Sequence, residues 1–125
     1  MSSVFNTTFE VSLRVLLALS MVGKPRTPDM IAAMDFITVY GKNFGVAETN
    51  LHGDNSYKYG ELANRRAIIK KALKSLVLDG MVDVYEKEGG FHFAINDAGE
   101  AFSASLTSEY AEEYVRVAKE AVAYI

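Results

Sequence analysis

A chain of 125 residues, half of them apolar and none of them cysteine, carries a formal net charge of −3. That length suits one domain, and the apolar fraction is enough for one core and argues against global disorder. The missing thiols exclude disulfide scaffolds, thiolate zinc sites and cysteine nucleophiles, and the longest apolar stretch, Val15 to Gly23, falls far short of the ~20 residues of a membrane-spanning helix.

The first predicted helix is Thr8 to Val22. Thr7 with Glu10 three residues on fits a capping box. Phe9, Leu13, Leu16, Leu17 and Leu19 or Ser20 form its apolar face, and Gly23 and Pro25 end it. The second helix opens on Thr27-Pro28-Asp29: a hydroxyl cap, a proline at the first helical position and a carboxylate against the dipole. Met30, Ile31, Met34, Ile37 and Val39 or Tyr40 carry its core face, and Gly41 closes it.

Residues 42–58 resist periodic reading and are rich in Gly, Asn, Asp and Ser, which is loop chemistry. A helix-turn-helix connection takes only ~3–4 residues, so this loop is long enough to suggest a function. Its aromatic and apolar residues, Phe44, Leu51, Tyr57 and the adjoining Tyr59, argue that it docks on something. The third helix runs from about Glu61 to Asp79, with Leu62, Ile69, Leu73, Leu76 and Val77 facing inward. Arg65, Arg66, Lys70, Lys71 and Lys74 line the rest, and Glu61 with Arg65 forms an i,i+4 pair in the favourable order.

MVDVYE alternates as a strand, KEGG reverses the chain, and FHFAIN alternates back. Asn96 or Asp97 starts a fourth helix, and Thr107-Ser108 starts a last one, about 108–125, that places Tyr110, Tyr114, Val117, Ala118, Ala121 and Ile125 on one stripe. Helices, then a hairpin, then helices spell a mainly α fold: a winged helix-turn-helix spanning residues 1–125 as one domain, with an additional C-terminal helix.

Charge divides along the chain. Residues 42–74 hold seven Lys/Arg against three Asp/Glu, whereas residues 75–125 hold three against ten. Such asymmetry implies a polarised surface with a charged partner. The row Arg66, Lys70, Lys74 repels itself at helical spacing, which suits presentation to an anion; a solvated face is the plain alternative. As a recognition helix it would offer Arg65 or Arg66 to guanine and lysines to phosphate. The hairpin that should lie along phosphate is acidic, however, reading Asp83, Glu86, Lys87, Glu88. A protein-facing basic surface is the stronger reading. The C-terminal stripe reads first as core and second as an interface through Tyr110, Tyr114, Val117 and Ala121, with a partner's helix or a second copy.

No catalytic set, cofactor motif or metal-ligand spacing stands out. His52 and His92 are the only histidines, and no HExxH or similar pattern accompanies them. GKNFG (Gly41–Gly45) lacks the second glycine and the Gly-Lys-Ser/Thr ending of a phosphate loop. His52 lies in the unusual loop, which leaves it a functional role to fill; His92 should point outward from its strand.

Phe5-Asn6 leading into FEVSLRVLLAL, the Thr27-Pro28-Asp29 helix start, Leu51-His52, and YKYGELANRRAIIKKALKSLVLDGMV together resemble the second middle-component family of the ABC three-component systems. The resemblance covers roughly residues 5–115. Those systems are bacterial operons coding for an SMC-like ATPase, an effector and a small middle component, and the Lamassu defence systems look like members of the same group. What the resemblance implies is a non-catalytic winged-helix adaptor, linking the ATPase to the effector in defence against phage or plasmid, with no cofactor. It makes His52, Glu61, Arg65 and Arg66 candidates for structural or docking roles. With no basic leader or cleavage site in evidence, a cytoplasmic location is expected. Weak DNA contact inside the complex is compatible with it. The alternative is a DNA-binding transcriptional regulator, dimeric through its last helix.

Overall fold

The computed structural model describes residues 7–52 and 58–124. Helices α1 (Thr8–Val22) and α2 (Pro28–Val39) are followed by a 3-10 turn (Gly41–Phe44), α3 (Lys58–Leu78), strands β1 (Val82–Lys87) and β2 (Gly90–Ile95), α4 (Asp97–Ala104), α5 (Glu109–Ala121) and a closing 3-10 turn (Val122–Tyr124). The layout is mainly helical with one antiparallel hairpin, consistent with a winged-helix arrangement.

Local chemistry sets the boundaries. Thr7, Thr27, Asn96 and Ser108 each accept an amide hydrogen bond at the start of a helix, relieving donors that the first turn leaves unmatched. Gly23 and Gly80 adopt φ of 66° and 75°, a left-handed conformation that residues with a side chain rarely take. At the end of α3 the Gly80 amide bonds the Val77 carbonyl and the Met81 amide the Leu76 carbonyl, the pattern of a Schellman cap. In the hairpin Val82 faces Ile95 and Lys87 faces Gly90, leaving Glu88 and Gly89 as a two-residue turn with φ of 90° at Gly89.

α1 is the central element. It packs on α2, α3, α4, α5 and β2, so residues 11–19 are buried except Leu13, which is half-buried. One half of the core joins α1 to α3 and the hairpin through Val15, Leu16, Ile69, Leu73 and Val82, with Phe93 and Ile95 against it. The other joins α1 and α2 to α5 through Leu17, Met34, Val39, Tyr40 and Tyr114. Because α1 is enclosed, the single face read for it is too narrow, and its first turn lies outside: Phe9 is 72% exposed. Met30, in the first turn of α2, is exposed for the same reason. Arg26, between α1 and α2, forms a one-residue antiparallel bridge to Phe93, with amide-to-carbonyl distances of 2.9 and 2.8 Å. That bridge fastens the hairpin to the helical body.

The long loop is partly structured by its own polar groups. The Lys42 amide donates to Asn50 Oδ1 at 3.0 Å, Asn50 Nδ2 donates to Asn43 Oδ1 at 2.9 Å, and the Leu51 amide bonds the Val39 carbonyl at 2.9 Å. Gly41 sits where the loop crosses α5. A Cβ there would lie 2.9 Å from Ala47 Cβ and 3.0 Å from Val117 Cγ1.

Candidate docking surface and the buried ion cluster

Asp35, on α2, is completely buried and lies at the centre of four helices. Arg14 of α1 donates to it from Nε at 2.9 Å and from Nη2 at 3.1 Å. Arg65 of α3 donates from Nη1, and the Tyr114 hydroxyl of α5 donates at 2.7 Å. Arg14 is 1% exposed and Arg65 4%, and the Arg65 guanidinium also lies 5.6 Å from the centre of the Phe36 ring. Burial by itself would raise the Asp35 pKa. The two guanidinium charges and the Arg14 and Tyr114 hydrogen bonds outweigh it and hold the carboxyl far below the usual range. Burial likewise opposes the charge on Arg14, and Asp35 more than restores it.

This cluster corrects the sequence reading at Arg65. The guanidinium belongs to the interior, because Asp35 supplies the charge that an arginine needs in order to be buried, and it is not part of the basic surface. Arg66, Lys70, Lys71 and Lys74 are exposed. Arg66 makes an open ion pair with Asp29, Nε to Oδ1 at 3.2 Å, with both side chains more than 60% exposed. Arg66, Lys70 and Lys74 therefore form a solvent-facing row at i,i+4 spacing, with Lys71 beside it. On the hairpin that follows α3, Asp83, Glu86 and Glu88 are exposed.

The loop residues dock on their own chain. Phe44 meets Phe36 edge-on, ring centres 5.9 Å apart, and Leu51 packs on the α2–α5 half of the core. His52 shares a 2.5 Å hydrogen bond with the Tyr110 hydroxyl, the rings stacked 5.8 Å apart. Phe44, Leu51 and His52 thus close the body rather than wait for a partner. Tyr57 lies outside the described residues, as do the side chains of Tyr59 and Glu61. In α5, Tyr114, Val117 and Ala121 are fully buried against α1 and α2. They form core, which removes them as a dimer face; Tyr110 is half-buried under His52.

His52 has its pKa pushed down to about 3, first by burial and then by the Arg14 charge. In the unfolded chain the imidazole titrates near 6.5, so between these values the unfolded state binds a proton that the folded state refuses. The contribution is complete above pH 6.5 and is lost as pH falls, by about 1–2 kcal/mol between pH 7 and 5 after allowing for partial exposure. Asp35 adds a further loss below its ordinary value of 3.8, where the unfolded carboxyl protonates and the folded one does not. His52→Gln should flatten the plot of urea midpoint against pH between 7 and 5. An unchanged slope would assign the acid sensitivity to another group.

The chain thus combines a closed helical body, an antiparallel hairpin, and a basic row carried on the helix before that hairpin. The family model for the ABC-three component (ABC-3C) system Middle Component 2 matches residues 4–125, and the chain belongs to that family. It is accordingly a component of a multi-component system, and partner subunits are part of its setting. No curated protein matches the chain, and no solved structure does. Among the described residues no group of three or more His, Cys, Asp or Glu could hold a metal ion, and no helix is long and apolar enough to cross a membrane.

Proposed function

We propose that the protein is a non-catalytic, cytoplasmic winged-helix adaptor that links an SMC-like ATPase to an effector within a bacterial defence complex. The exposed row Arg66, Lys70 and Lys74 carries this reading. Three cations at helical spacing repel one another, and only Arg66 is answered by an ion pair among the described contacts. An acidic surface on a larger subunit relieves that repulsion and steers association. Membership of a middle-component family supports the presence of partner subunits for such a row to meet.

Co-purification with the neighbouring gene products tests it. A triple variant Arg66→Glu, Lys70→Glu, Lys74→Glu, leaving Arg65 intact, should weaken assembly at least about tenfold while its melting curve stays near that of the parent. Unchanged assembly would remove the row from the interface.

A DNA-binding regulator is the second reading, favoured by the same row because exposed lysines suit phosphate. The acidic hairpin beyond that row opposes it. Duplex binding by the pure protein that weakens steeply with salt would favour this reading over the adaptor.

A further inference from the structure

A second interaction surface lies on a face to which α3 contributes nothing. Two adjoining hollows, about 310 and 460 Å³, run between α1, the α4–α5 connection and α5, and both are lined by Leu17, Leu106 and Ala111. Leu17 and Ala111 form a buried floor, while Leu13, Met21, Leu106 and Val115 are only half-buried. The rim is acidic. Glu10 stands at one end, half-exposed, and Glu100 and Glu112 are exposed at the other. Arg14, the one cation among the described lining residues, is 1% exposed; it is held by Asp35, with its Nη1 also 4.0 Å from Glu10, so the unanswered charge of the rim rests on Glu100 and Glu112.

From this geometry we infer that the furrow seats an amphipathic helix of a partner subunit, its apolar stripe flanked by Lys or Arg. Length, apolarity and charge argue for that occupant together. Along α1 the lining runs from Glu10 to Met21, ~16 Å at the helical rise, which accepts about three turns of a docked helix. Such a helix reads a groove through apolar anchors at i, i+3 or i+4, and i+7. The carboxylates sit at the rim, where charge selects among partners rather than supplying the bulk of affinity. The inference deepens the adaptor reading and rests on it. The basic row takes an acidic surface, the furrow takes a basic helix, and two partners of opposite charge cannot exchange places.

The test uses the full chain and two fluorescent synthetic helices with the same leucine stripe, one flanked by lysine and one by glutamate. Anisotropy titration should show the lysine helix binding about tenfold or more tightly than its glutamate counterpart. Glu100→Lys with Glu112→Lys, both at exposed positions, should reverse that order. Val115→Asp should weaken both. Equal binding of the two helices, no saturation by the lysine helix up to about 1 mM, or an order unchanged by the charge reversal would overturn the inference. Co-purification of the unaltered chain keeps the two proposals apart. If it assembles with its neighbours and the lysine helix still fails, the furrow is wrong and the adaptor stands. If it assembles with nothing, the adaptor reading fails, and the titration still decides the furrow.

Discussion

Asp35→Ala is expected to lower stability by about 3–5 kcal/mol, because it leaves the buried guanidiniums of Arg14 and Arg65 facing each other without the carboxylate between them. Domains of this size are stable by only about 5–15 kcal/mol, so the variant should melt roughly 10–20 °C lower or fail to fold. Urea titration followed by circular dichroism measures the loss. The magnitude reflects removing one partner. The intact cluster adds far less, since burying three charges costs much of what their attraction returns. Replacing Asp35, Arg14 and Arg65 together by apolar residues of similar volume should therefore cost much less than Asp35→Ala alone. A shift below about 1 kcal/mol for Asp35→Ala would mean that the two guanidiniums are held by other groups.

Tyr114→Ala should be nearly as damaging, at about 3–5 kcal/mol for emptying a fully buried aromatic site, with the bond to Asp35 lost as well. Tyr114→Phe isolates that bond. It keeps the ring and withdraws one donor from an ionised carboxylate, for a loss of about 1–3 kcal/mol. Burial pushes the Tyr114 hydroxyl pKa well up, and the Asp35 charge reinforces it, so the group remains a donor throughout the working pH range. These variants also separate core from interface. If α5 presented Tyr114 to a partner, Tyr114→Ala would disturb assembly and leave the melting curve of the isolated chain unmoved. The buried position predicts a lowered melting curve without any partner.

Helix boundaries were legible because they depend on neighbours in sequence. Thr7, Thr27, Asn96 and Ser108 cap the helices that begin just after them, and Gly23 and Gly80 stop the helices that end just before them. The hairpin was legible for the same reason, from strict alternation around Glu88-Gly89. The Arg26–Phe93 bridge was not, since nothing local marks one residue as half of a strand pair. Periodicity also failed for α1. A helix enclosed by its neighbours has no single apolar face, so the pattern points Phe9 inward although the first turn projects.

The ion cluster escaped because charged residues are read as surface by default, and its members lie 21, 30 and 79 residues from Asp35. One signal was present. Arg14 interrupts the apolar run around Val15 and Leu16, and Asp35 stands between Met34 and Phe36. A single charge in the apolar stretch that follows the first turn of each of two helices, of opposite sign, marks a buried pair. Arg65 had no such mark, since it sits among other basic residues. The apolar stripe of α5 could not be assigned to core or interface from pattern alone, because both demand the same spacing of small and aromatic side chains.

The 79-residue reach from Asp35 to Tyr114 bears on how the chain is made. Synthesis proceeds from the amino end, and domains assemble as they emerge. Asp35, Arg14 and Arg65 are available well before α5 leaves the ribosome, but the carboxylate has its tyrosine, and the α2 side of the core its cover, only once that last segment docks. Until then the nascent polypeptide carries a water-exposed seam along α1 and α2, and its completion is a late, long-range step rather than a local one.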